Sequence, residues 1–343
     1  MALDENFQNL KYIKYINLQW NREYYSIGNF SVQITEDNYL PEMKYIYTEE
    51  RPEVGVIQKV EIQNTVKGTF IQLEGMFLES ILNDKTIYPT YYGSGDIGQS
   101  VLDMVDKYKD DIPLLNVSNL SLVKSNNATW QETGGNLAKV AYSKLATQQM
   151  SCRCRYDYEN DKIWFEVWQG KDKTQDQEEN SFVVFSSGFR NLTNIKASFD
   201  CSNFKNYAIV AGEGEGKDRI IANVDLSNGG YKKKVFIDAK DLMFDAEKQT
   251  KEEYIKALEQ RGLEKLLDYK VINNIEIDIS ESTFKYLRDF DLGDVADVII
   301  ESIGVSMTAR IVTIREVFKN NNHTVTIELG DKKLTSIQKA RLK

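Results

Sequence analysis

The residue types able to do chemistry are few in this chain, and their spacing limits the reactions open to it. One histidine, His323, stands among 343 residues. A Ser-His-Asp or Cys-His arrangement needs an imidazole as its base, so any such site must be built on His323. That residue follows Lys319-Asn320-Asn321-Asn322, which reads as a hairpin turn, and opens the alternating run Thr324–Leu329. A solvated histidine at the start of a strand is the expectation there. Histidine-rich zinc chemistry is excluded by count. Cys152 and Cys154 flank Arg153, and no second pair or nearby histidine completes a metal site; Cys201 stands apart. Small, half-buried, reduced thiols are expected of all three.

Two loops concentrate glycine and charge. Gly212-Glu213-Gly214-Glu215-Gly216-Lys217-Asp218 has the glycines of a phosphate loop but lacks the Lys-Ser/Thr ending, and its two glutamates repel an anion. It reads as a glycine-rich hairpin turn. Glu213, Glu215 and Asp218 could offer oxygen to Ca²⁺, but they lack the ligand series of a calcium loop. Asp291-Leu292-Gly293-Asp294 reads as a turn with Gly293 in an unusual conformation. A glycosidase needs two carboxylates facing one another across a cleft, and among 52 acidic residues neighbours in sequence say little. Tyr45, Tyr47, Tyr88, Tyr91, Tyr92, Trp164 and Trp168 are read as fillers of cores and subunit interfaces before a sugar platform. The sequence thus nominates no catalytic, cofactor-binding or metal-ligating residue.

Composition narrows the class further. A net charge of −9 opposes nucleic-acid affinity, which Lys and Arg supply by releasing counterions. Acidic Asp4 and Glu5 lie where a signal peptide carries a basic end, and no apolar run reaches the roughly 18 residues that span a bilayer. A soluble chain made in the cytoplasm, with no membrane insertion, is expected.

The elements that must position these residues are mostly strands. Phe30, Val32 and Ile34 alternate with polar neighbours; Val60 and Ile62 do so ahead of the turn Asn64–Gly68, and Ile71 and Leu73 after it. Residues 1–90 therefore read as a first antiparallel β-barrel. Residues 91–180 read as a small α/β module and linker. Asp96 caps a helix carrying Ile97, Val101, Val105 and Tyr108, a second helix follows Gly135, and strands cover Arg153–Tyr158 and Lys162–Trp168. The polar run Lys171–Asn180 is taken as an exposed link. Residues 181–335 read as a second β-barrel with a helical insertion at about 243–270, where Gly262 marks a kink, and 336–343 as a basic tail. The fold class expected is mainly β with α+β parts.

Three stretches in order resemble the siphophage and prophage tail-hub family, which is related in fold to contractile-tail baseplate hubs. They are Val54–Glu61 with Ile71–Gly75, then Asn206–Gly214 with Arg219, then Phe290–Val295 with Ala309–Val312 and Leu329-Gly330. The resemblance implies a homotrimer, two barrels per chain, and a non-enzymatic hub that adapts the tail tube to the tip or baseplate and lets DNA pass. Its implied partners are further copies of itself, tail-tube or distal tail proteins, and tip or tape-measure proteins, with no specific nucleic-acid binding. Its implied place is the virion tail, assembled in the host cytoplasm. Lytic domains follow the hub in some relatives; this chain stops soon after Leu329-Gly330, so none is expected. The competing readings are a cell-wall hydrolase (a tail-associated lysin) and a module binding host polysaccharide.

Overall fold

The computed structural model describes residues 1–330 except 49, 113, 119–123, 281–282 and 321; the basic tail expected at 336–343 lies outside the described residues. The chain forms two compact units that are interleaved in sequence. The first takes residues 1–78, 169–199 and the stretch beginning at Ile272; the second takes 79–168 and 200–271.

The opening stretch supplies β1 (Ala2–Leu3), β2 (Asn9–Lys11), β3 (Tyr15–Glu23), β4 (Asn29–Thr35), β5 (Tyr45–Tyr47), β6 (Val54–Thr65) and β7 (Gly68–Phe77). The second unit begins with β8 (Tyr91–Asp96), α1 (Ile97–Tyr108), β9 (Leu115–Val117), β10 (Asn127–Glu132), α2 (Leu137–Ala146), β11 (Ser151–Asp157) and β12 (Lys162–Trp168). After β13 (Val184–Ser186) and β14 (Leu192–Asp200), the second unit resumes with β15 (Tyr207–Ala211), β16 (Ile221–Asp225), β17 (Lys234–Asp238) and α3 (Lys251–Leu267). The first unit is completed by β18 (Ile272–Ile279), β19 (Val295–Ile300), β20 (Val305–Lys319) and β21 (Asn322–Gly330).

Alternation builds β4 and β7 as read from the sequence, and the structure extends it to β3, which runs from Tyr15 rather than from Tyr12. Leu18, Trp20, Phe30, Val32, Ile34, Ile71 and Leu73 take every second place on β3, β4 and β7 and form one buried cluster with Phe77 and Ile46. Neighbour choice differs from the expectation. The path runs β14-β18-β21-β20-β3-β4-β7-β6-β5-β1-β2, with β13 and β19 joined at β20. The opening strands are therefore no simple meander, and strands assigned to two barrels share one sheet through the pairing of β3 with β20. Among the described residues no pairing joins the two ends of this path, so two closed barrels are not what the strands make. Period-two patterning fixes which side chains face inward but leaves the identity of the adjoining strand open.

At Gly75 two backbones come close. Gly75 pairs with Ile57 where β6 shifts register between Ile57 and Lys59, and a Cβ on Gly75 would stand 1.8 Å from the Val56 carbonyl oxygen. Only glycine admits this bulge without displacing a strand. Gly75→Ala is expected to cost about 1–3 kcal/mol. The loss should appear as a lower denaturation midpoint and as faster amide exchange confined to β6 and β7; an unchanged midpoint contradicts this account of the bulge.

In the second unit α1 begins where its cap was read, with the Asp96 carboxylate accepting from the Gln99 amide at 3.0 Å. The cap of α2 is Asn136, which accepts from the Lys139 amide at 3.0 Å. β11 and β12 pair around the turn at 158–161, and β9 joins β12 in parallel. β16, β15 and β17 make a second small sheet whose Ala208, Val210, Ala222, Val224 and Ile237 pack with Tyr254, Leu258 and Leu266 of α3. Thr250 and Glu253 cap α3 reciprocally. Gly262 does not interrupt this helix. A Cβ there would stand 2.6 Å from Val224 and 2.8 Å from Val210, so the glycine lets α3 lie close to the sheet.

The consecutive domain order read from the sequence differs from this arrangement in three places. Residues 79–90, assigned with the first sheet, lie in the second unit, where the Glu79 carboxylate accepts from the Cys154 amide at 2.8 Å. The helix α3, read as an insertion in a second barrel, covers the sheet of β15–β17 in the second unit. Lys171–Asn180 is no free link: the Lys173 amide donates to Val295 at 2.8 Å, and the Gln175 amide to the Asp297 carboxylate at 2.9 Å. The run is held along β19 by backbone bonding, which a polar composition conceals.

Candidate assembly surface

The residues that could do chemistry are largely committed to holding the fold. In the glycine-rich loop the Glu213 carboxylate accepts from the Phe244 amide at 2.7 Å, and its own amide donates to Tyr254 Oη at 2.8 Å. Arg219 donates to the Gly212 carbonyl at 2.9 Å, and β15 pairs antiparallel with β16 on either side. In the other acidic loop Gly293 has φ +83°. Asp294 accepts from the Lys171 amide at 2.7 Å and from the Asp291 amide at 2.9 Å. Cys152 and Cys154 are buried on β11, and burial pushes both thiols well above their usual range; Cys201 is exposed. Among the described residues no three His, Cys, Asp or Glu side chains come together in a way that could hold a metal ion. No described helix is long and apolar enough to cross a membrane.

Two ion-paired clusters escaped the sequence reading. In the second unit Lys144 on α2 binds both oxygens of Glu264 on α3, at 2.8 and 3.0 Å, and lies 4.7 Å from the Trp130 ring. Arg261 bridges Glu132 at 3.4 Å and Asp241 at 2.8 Å. Burial raises the Glu132 pKa against the pull of Lys144 and Arg261. These carboxylates are spent on cations that pin two helices and a strand together.

In the first unit Arg22 is buried, binding Glu53 at 2.7 Å, Tyr286 Oη at 2.8 Å, and Asp291. Burial disfavours its charge, yet Glu53, Tyr286 and Asp291 raise its pKa above the usual guanidinium value. Beside it, fully buried Glu316 accepts from Arg51 twice and from Tyr286 Oη at 3.2 Å. His323 Nε2 lies 2.9 Å from the same carboxylate, and its ring stacks on Phe318 at 4.2 Å. His323 does open its strand as read, but as a partner of a buried carboxylate rather than as a bare solvated ring. Arg22 continues the inward phase of Leu18 and Trp20, and Glu316 that of Ile314. A charge in an apolar phase was the one signal available.

The opposite face of the same strands is open and polar. Asn17, Gln19, Ser31, Gln33, Gln63, Gln72, Glu61 and Glu74, with the apolar Phe70 and Ile62 among them, line a hollow of about 810 Å³. Lys59 lies on this face too, 2.7 Å from Glu61 and 3.4 Å from Glu74, so its charge is matched. At the outer side β5 covers β6 only from Val54 to Val56. From Gln58 to Thr65 β6 is exposed, and among the described residues no strand pairs with that edge. This surface is sheet face and sheet edge.

A model of the family described as Siphovirus ReqiPepy6 Gp37-like protein matches residues 3–331. Among solved structures, a tail protein from Neisseria meningitidis MC58 matches with a TM-score of 0.61 at 11% identity, covering 96% of each chain. A 43 kDa tail protein of prophage MuSo2 from Shewanella oneidensis matches with a TM-score of 0.59 at 12% identity, over 93% of this chain and 95% of that one. Prophage tail protein gp18 from Listeria monocytogenes EGD-e matches with a TM-score of 0.57 at 12% identity, over 99% and 97%. These are likenesses of fold. No curated protein matches.

Proposed function

The chain belongs to the Siphovirus ReqiPepy6 Gp37-like protein family, and on that premise we propose that it is a non-enzymatic structural hub of a phage or prophage tail tip or baseplate. Three copies form a ring that joins the tail tube to the tip and leaves a passage for DNA. Its partners are its own copies, the tail-tube or distal tail protein, and tip or tape-measure proteins; its place is the virion tail, after assembly in the host cytoplasm. The observation that carries this reading is end-to-end likeness of fold to three tail proteins, over 93–99% of this chain.

The polar face of β3, β4, β6 and β7 suits the wall of the passage. It offers amides, hydroxyls and carboxylates, with its lysine already paired. Lys59 and its two glutamate partners leave this stretch of wall net negative, so phosphates are repelled and DNA slides without sticking. The glycan and hydrolase readings gain no support from the buried carboxylates of Glu132, Glu264 and Glu316, which serve ion pairs, or from those of Glu79 and Asp294, which accept from backbone amides.

Purified full-length chain should have three times the monomer mass by multi-angle light scattering and appear in negative stain as a ring with a central hole. A monomer that clears host cell-wall material in a zymogram, with clearing lost in Glu132→Gln or Glu264→Gln, overturns the reading.

A further inference from the structure

The cross-strand rows of the first unit end abruptly at β6. One row runs Leu18, Val32, Leu73, Val60 across β3, β4, β7 and β6. Its members are 6%, 2%, 0% and 41% exposed. A second runs Ile34, Ile71, Ile62, at 0%, 2% and 62%. Val60 and Ile62 therefore continue the core face of the sheet, yet both stand exposed. Among the described residues no strand pairs with the edge of β6 from Gln58 to Thr65. Soluble proteins blunt such edges or pair them, and an exposed edge beside an apolar row is the form taken by strand-addition sites.

The same sheet has a second free edge at the other end of its path. β14 lies last in the order, next to β18. The Asn194 side chain donates to the Asp278 carboxylate at 2.9 Å, and Asp278 in turn accepts from Thr326 Oγ1 at 2.7 Å. Ile275 and Ile277, which alternate with Asp278, are buried. Asn194 and Lys196 therefore share the polar face, and Ile195 and Ala197 the core face.

We propose that β6 of one copy pairs antiparallel with β14 of the next, with Ile62 opposite Ile195 and Val60 opposite Ala197. This deepens the ring reading above and rests on it. The register sets apolar against apolar on one face and places Glu61 opposite Lys196 on the other. The two edges, which no strand joins among the described residues, are of similar length, 58–65 and 192–199. Every neighbouring pair along the path from β18 to β2 is antiparallel, so the joint continues the sheet in kind. Two different edges meeting head to tail make a heterologous contact, which propagates from copy to copy and closes as a ring.

The test uses full-length chain carrying Cys201→Ser, so that the native exposed thiol does not compete. Facing residues of an antiparallel pair have Cα atoms about 4.5–5.5 Å apart, within disulfide range. Val60→Cys combined with Ala197→Cys should give, on mild oxidation, a reducible ladder ending at the covalent trimer, while either single variant gives none. Ile62→Lys should weaken assembly at least about tenfold by light scattering while leaving the melting temperature of the dispersed chain unchanged. Crosslinking by Val60→Cys alone overturns the proposal in favour of a symmetric β6–β6 contact. A trimer without crosslinks overturns the edge pairing and leaves the ring reading standing. A chain that stays monomeric at every concentration, without crosslinks, overturns both.

Discussion

Glu316→Ala should destabilise the first unit by about 3–5 kcal/mol, the usual cost of removing one partner from a buried ion pair. The fully buried carboxylate accepts from Arg51 twice and from Tyr286, with His323 alongside. Alanine leaves a buried guanidinium, a phenol and an imidazole facing a void. Glu316→Gln keeps the shape and separates the charge from the packing, so its loss should be smaller. The carboxylate also sets an acid limit. Burial alone would raise its pKa, but the bonds from His323 and Arg51 outweigh burial and hold it below the ordinary glutamate value. A carboxylate with a depressed folded-state pKa contributes stability that is present above its unfolded value and lost as pH falls through the folded one. Urea titrations from neutral to acid pH should therefore show a steeper acid-side fall in the native chain than in Glu316→Gln. Parallel curves would remove Glu316 from this role.

Trp20→Ala should rank with it, at about 3–5 kcal/mol for emptying an aromatic site in a packed core. Trp20 is fully buried, 4.7 Å from the Phe77 ring and 5.8 Å from that of Phe30, so the vacated space lies between β3, β4 and β7. Among the described residues its indole N–H finds no acceptor. A buried unsatisfied donor costs about 1–3 kcal/mol. Trp20→Phe should therefore lose much less than ring volume alone suggests, because deleting the N–H offsets part of the cavity. Chemical denaturation of both variants checks the pair; equal losses would mean that the N–H carries no penalty.

Much of the first unit was legible because its strands obey a period of two. The inward phase of β4 and β7 was written in Phe30, Val32, Ile34, Ile71 and Leu73, and the α1 cap in Asp96; the phase of β3 was not read. Strand order was not legible. The pairing of Leu18 with Phe318 joins residues about three hundred positions apart, and no local pattern encodes such a partnership. The interleaving of units escaped for the same reason, since composition changes little where the chain passes from one to the other. The ion-paired clusters were half-visible: Arg22 and Glu316 sit in apolar phases, but each is explained only by partners such as Asp291 and Arg51 that lie far away in sequence. The assembly surface left a fainter trace. Val60 and Ile62 read as inward residues like any others, and only the fold shows that among the described residues no strand adjoins this stretch of β6.

The interleaving has a consequence for synthesis on the ribosome. The second unit has all its residues once Val271 is made, whereas the first, begun at the N-terminus, must wait for β20 and β21. Until then the Arg22 side of β3 has neither its neighbouring strand nor Glu316 nearby, and the earliest translated strands are the last to be sheltered. Copies translated side by side on one message expose the same unfinished sheet to one another at high local concentration, so the timing of β20 and β21 governs whether nascent chains finish themselves before they meet.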